Sequence, residues 1–115
     1  MTLHLTPAVI VGCYEFLRAT PPFDKWKLPE ADDVEFRTIS AVRLYGEHQI
    51  YTTGEHIIYI SHRRVGYTRT LMETMAHEMV HVRQAMRGDR DVHGASFKMM
   101  ARRVCEYHGF DPMAF

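Results

Sequence analysis

Five residues, His77-Glu78-Met79-Val80-His81, constrain this chain more than any other stretch. They lie within residues 70–88, TLMETMAHEMVHVRQAMRG. There Thr70 and Glu73 have the spacing of a capping box, and Gly88 suits the position just past a helix end. The pattern predicts a helix over residues 71–87. Residues four apart share one face of a helix, so His77 and His81 project side by side. Two imidazoles so placed can hold one Zn2+, and Glu78, about 100° around the helix, reaches a water on the metal's open side. This is the H-E-x-x-H spacing, in which the glutamate serves as a general base beside the metal. The alternative is a solvated His/Glu stripe in a chain with 8 histidines among 115 residues. The apolar neighbours Met75, Met79, Val80 and Val82 weigh against a solvated stripe.

The length fits one domain, residues 1–115, able to bury a single core without staples. Lys plus Arg equals Asp plus Glu at 14 each, so global charge gives no argument for nucleic acid. Arg63-Arg64 and Arg102-Arg103 are local basic pairs, read as solvated faces. Cys13 and Cys105 match no CxxC pattern, which excludes a cysteine zinc site, and each is expected to be a small buried residue. Neither a secretory leader nor a membrane-length apolar run is visible, so a soluble cytoplasmic protein is expected.

Two periodicities divide the chain. Thr6-Pro7 reads as N-cap and first residue of an opening helix, with Val9, Ile10, Cys13, Phe16 and Leu17 as its buried stripe. That helix stops before Pro21-Pro22. Residues 23–33 form an aromatic-anchored loop in which Trp26 packs over the core, a cleft-lining role being the alternative. Over residues 34–61 the period shortens to two, with candidate strands at 34–38, 41–45, 48–52 and 55–61. The last, containing Ile57, Ile58, Tyr59 and Ile60, is the most apolar. An α+β domain is expected, with a small, mostly antiparallel sheet leading into the histidine helix. A final helix over residues 95–107 buries Phe97, Met100, Ala101 and Val104 and ends at Gly109.

A catalytic zinc takes three protein ligands and keeps one open position. His93, 12 residues after His81, stands across a turn at the mouth of the last helix. If that helix packs back on the first, His93 reaches the metal, and Gly94 permits close backbone approach. Glu106 competes for the same place, while the nearer Asp89 and Asp91 are expected to point into solvent. Spacing alone leaves His93 and Glu106 both open.

HEMVH followed by HGASF resembles the SprT-like (Spartan-type) zinc metallopeptidases, whose signature joins H-E-x-x-H to a downstream H-G-x-x-F. The order of elements is similar over residues 41–104. The resemblance implies a zincin-like, minimal gluzincin-type domain with His77, His81 and His93 as Zn2+ ligands and Glu78 as the catalytic glutamate. It thereby favours His93 over Glu106. The implied activity is that of a zinc-dependent endopeptidase: the ion lowers the pKa of a bound water, and Glu78 takes its proton during attack on a peptide carbonyl. Tyr67, just before the metal helix, is a candidate for an added donor to the oxyanion, a packed tyrosine being the alternative. Longer relatives append a cysteine zinc ribbon or other DNA-binding segments. This sequence carries no such ribbon, so a minimal catalytic domain acting on protein or peptide is expected, with DNA a partner by resemblance and not by charge. A zinc-stabilised protein- or DNA-binding module of the same fold is the competing reading, and a domain whose histidines bind nothing is a third. His4, His48, His56, His62 and His108 have no partner at ligand spacing and receive no role.

Overall fold

In the computed structural model, which describes residues 5–115, the Thr6 hydroxyl accepts a hydrogen bond from the Val9 amide at 3.2 Å. Pro7 occupies the first helical position, where no amide is needed, and helix α1 (Pro7–Arg18) follows. Its buried face is Ile10, Tyr14 and Leu17. Phe16, expected inside, is 56% exposed, and Cys13 is only half-buried. The inward stripe is centred one step round the helix, on Tyr14, whose hydroxyl donates to the Pro29 carbonyl at 2.6 Å. That bond lets a tyrosine sit fully buried. Residues 23–33 contain two short 3-10 turns, Phe23–Lys25 and Ala31–Asp33. Phe23, Trp26 and Leu28 are buried, and Arg83 donates to the Trp26 carbonyl at 2.8 Å. Trp26 therefore packs over the core, as its loop suggested.

Three strands follow: β1 (Val34–Ile39), β2 (Gly46–Ile50) and β3 (His56–Ser61), in the order β1-β3-β2. β2 and β3 form an antiparallel hairpin that turns at Gly54, which adopts φ +95°. β1 runs parallel to β3, with Val34 opposite His56. The sheet is thus half parallel and half antiparallel, a correction to the mostly antiparallel expectation. The cause is that β1 takes the far edge of β3 instead of pairing with its sequence neighbour β2. As the central strand, β3 buries both faces, which explains its unbroken apolar run. Residues 41–45 do not form the expected strand. The Ser61 hydroxyl donates to the Ala41 carbonyl at 2.6 Å and accepts from the Ala41 amide at 3.3 Å, withdrawing both groups from any ladder.

Helix α2 (Thr68–Met86) starts three residues earlier than the sequence suggests. Tyr67, with φ −133° and ψ 152°, is its N-cap and makes no side-chain capping bond. Thr70 already lies inside the helix, and Glu73 pairs with Arg69 at 2.8 Å instead of closing a capping box. The other end is as expected: Gly88 has φ +70°, its amide bonds to the Ala85 carbonyl, and the Asp89 amide bonds to the Gln84 carbonyl at 2.9 Å. Helix α3 (Ala95–His108) ends at Gly109, also left-handed at φ +76°. α2 touches α1, α3, β2 and β3, and supplies Leu71, Met75, Ala76, Met79, Val80 and Val82 to the core. Among the described residues no helix is long and apolar enough to cross a membrane. His4 lies outside the described residues.

Candidate metal centre

His77, Glu78 and His81 project from the middle of α2, and α3 packs back on that helix. The turn between the two helices carries His93 to the pair. One nitrogen from each of His77, His81 and His93 falls within 4.8 Å of the others, a group able to hold a metal ion. The ring of Phe97, in the first turn of α3, lies 5.0 Å from His77, 4.9 Å from His81 and 5.0 Å from His93. It is the shared floor of the cluster, and it stacks flattest on His81, at 20° between planes. Glu106, the competing candidate, is exposed on α3 and joins no such cluster.

The protonation of two imidazoles follows from their partners. His77 Nδ1 lies 2.6 Å from the main-chain oxygen of Phe115, which only accepts, so Nδ1 carries the proton. His81 Nδ1 lies 2.8 Å from Gln84 Oε1. The Gln84 amide is oriented by donating to Asp89 Oδ2 at 3.2 Å and to the Asp91 carbonyl at 3.1 Å, both acceptors. Its Oε1 therefore accepts, and His81 Nδ1 donates. Both Nε2 lone pairs are left facing each other at 3.1 Å. Two acceptors so close repel unless a cation stands between them. Two ligands about 2.0–2.1 Å from a tetrahedral ion are about 3.3 Å apart, so the donor set fits a metal.

Electrostatics agree with a site built for an ion. Burial, then the neighbouring His81 and His93, lower the His77 pKa to about 4, against the opposing pull of the Phe115 oxygen. Burial also lowers that of His81, while its bond to Gln84 raises it. His77 and His81 are thus biased toward the neutral form, the one that ligates. Glu78 is buried, and desolvation, assisted by the charge of Glu47, pushes its carboxyl up to about 8. Two cavities meet at Glu78 and His77. One of about 470 Å³ is walled by Tyr45, Gly46, Thr74 and the tail at Ala114 and Phe115. The other, of about 400 Å³, is walled by β2, His81, Gln84 and His93. Gly46 borders both, and its α-carbon is pressed so closely that an added Cβ would stand 2.8 Å from Thr74 Cγ2 and 3.3 Å from Glu78 Oε2.

Other expectations resolve differently. Tyr67 is 62% exposed at the start of α2 and does not line either cavity, whereas Tyr45 does. Gly94 does admit a close neighbour, but that neighbour is the Asp91 carboxylate, which an added Cβ would strike. Asp89 is not lost to solvent: it accepts from Gln84 and from the Asp91 amide at 3.0 Å, fixing the turn before His93. His48 and His56, given no role, share a hydrogen bond at 2.9 Å, with His48 on the wall of the second cavity. His108 meets Thr20 Oγ1 at 3.0 Å and ties α3 to the end of α1. Sequence reasoning missed Gln84 and Phe115. Gln84 stands three residues after His81 on the same helix, a spacing that marks a side-chain partner. Phe115 acts through its main chain, which no residue type announces.

The sequence model of the SprT-like family matches residues 23–113. The chain belongs to the SprT-like family. The matched span contains α2, the turn and α3, and hence all three histidines and Glu78, while the whole of α1 and the last two residues lie outside it. No curated protein matches the chain.

Proposed function

We propose that this SprT-like chain is a zinc-dependent endopeptidase of zincin-like architecture, with His77, His81 and His93 holding Zn2+ and Glu78 acting as general base. The observation that carries the reading is the convergence of three imidazoles beside a buried carboxyl on an open cleft. When bound, the ion supplies a Lewis acid that lowers the pKa of a water at its open position and a positive charge that favours the Glu78 carboxylate. Glu78 would accept a proton from the attacking water as the water's oxygen bonds to the peptide carbonyl carbon. The carbon–nitrogen bond then breaks, and Glu78 returns the proton to the departing amine. The two cavities on either side of Glu78 give an extended peptide a path along β2. A purely structural zinc site closes its fourth position with a fourth side chain. Among the described residues no fourth ligand-type side chain joins the three histidines, which favours catalysis over a zinc-stabilised binding module.

The test measures zinc per chain and hydrolysis of an unfolded protein, with and without single-stranded DNA, for wild type and Glu78→Gln. One zinc per chain in both proteins, with turnover abolished in the variant, is the expected result. Turnover that survives Glu78→Gln would refute the assigned base. Stoichiometric zinc without hydrolysis under either condition would point to the binding module.

A further inference from the structure

The tail after α3 follows a defined course. Gly109 at φ +76° ends the helix and turns the chain, so that Phe110 is buried. Asp111 then organises a second turn. Its carboxylate accepts from the Met113 amide at 2.9 Å, and its main-chain oxygen accepts from the amides of Ala114 and Phe115 at 3.0 and 3.1 Å. This turn sets the Phe115 ring 5.4 Å from the His77 ring and 6.2 Å from Phe110, and aims the Phe115 main-chain oxygen at His77 Nδ1. The bond spans 38 residues and, at 2.6 Å, is the shortest made by any of the three clustered histidines.

We propose that Phe115 completes the metal centre, its main-chain oxygen acting as the positioning group that fixes the His77 tautomer and ring orientation. The inference rests on the zinc reading above and adds a component that the family match does not contain, since the match ends at residue 113. A ligating imidazole must present one bare nitrogen to the metal, and an acceptor on the other nitrogen enforces that choice. Without Phe115, His77 loses the acceptor that keeps its proton on Nδ1, and the proton is free to occupy Nε2, the atom that faces His81. The same residue, with Ala114, walls the larger cavity, so substrate and metal share one support.

The experiment compares the full chain, a chain terminated after Met113, Phe115→Ala, and Met113→Ala as a surface control at a side chain that is 94% exposed. Zinc affinity is measured by chelator competition at fixed pH, and the visible spectrum of the Co2+-loaded protein reports ligand geometry. Termination is expected to weaken zinc binding about 10–100-fold and to alter the cobalt spectrum. Phe115→Ala keeps the main-chain oxygen and is expected to fall between termination and wild type, while Met113→Ala binds as wild type does. Equal affinity and an unchanged spectrum after termination would overturn the inference and leave the three-histidine site standing. A full chain that binds neither zinc nor cobalt would overturn both. If the shortened chain fails to fold, nitrogen NMR of the intact metal-free protein still decides. The proton on Nδ1 of His77 is expected, and a proton on Nε2 would overturn the proposal.

Discussion

Gln84 holds two parts of the histidine cluster together: its amide oxygen receives His81, and its amide nitrogen grips the turn that delivers His93. It is 2% exposed, so these bonds are not exchanged with water. Gln84→Leu keeps the volume and removes all three. Zinc affinity is expected to fall about 10–100-fold, read by chelator competition, because the His81 tautomer and the His93 turn are released together. His77, Glu78 and His81 were legible because one helix turn fixes their mutual geometry. His93 was not settled by spacing, since its delivery depends on how α3 packs and Glu106 offered the same chemistry. The chain places a nitrogen of His93 within 4.8 Å of those of the other two histidines, in a group that could hold a metal ion. The supports of the histidines were illegible for a different reason: one is an ordinary glutamine among helix residues, and the other is a main-chain oxygen.

Strand β2 owes its distance from α2 to one missing methyl group. A Cβ on Gly46 would stand 2.8 Å from Thr74 Cγ2 and 2.9 Å from the Tyr59 carbonyl, so Gly46→Ala must push the strand off the helix or off β3. Overpacking of this kind costs about 1–3 kcal/mol, measurable by urea denaturation. Turnover is expected to drop as well, because Glu78 Oε2 is the third neighbour of that methyl. The helices were legible as elements: an N-cap and proline open α1, and left-handed glycines close α2 and α3. The start of α2 was misread, because Thr70 and Glu73 carry a local signal that continuing helical backbone overrides. Strand pairing was misread because period two reports which faces are wet, not which neighbour a strand chooses. Only the unbroken apolar run of β3 hinted at its central place.

For the whole molecule, buried titrating groups set a stability optimum in the metal-free state. Burial lowers the pKa values of His48, His56, His77, His81 and His108, those of His48 and His77 to about 4 from an ordinary 6.5. The unfolded chain then binds protons first, so this stability is full above about pH 6.5 and is lost as pH falls toward 4. Glu78 has the opposite sign. Raised from 4.5 to about 8, its contribution is full below 4.5 and is lost as pH rises toward 8. Urea midpoints of the metal-free protein are expected to peak near neutrality, to fall on the acid side, and to lose their alkaline decline in Glu78→Gln. A flat profile would contradict both assignments. The position of His93 also bears on how the molecule assembles. It follows His81 by only 12 residues, whereas β1 meets β3 with Val34 and His56 22 apart. An ion gripping the short loop ties a local knot of chain at little entropic cost, before the slower search for strand partners is complete. On the proposed zinc reading, refolding of the chain is expected to accelerate with zinc concentration, and an unchanged refolding rate would show that the ion is taken up only after the fold is complete.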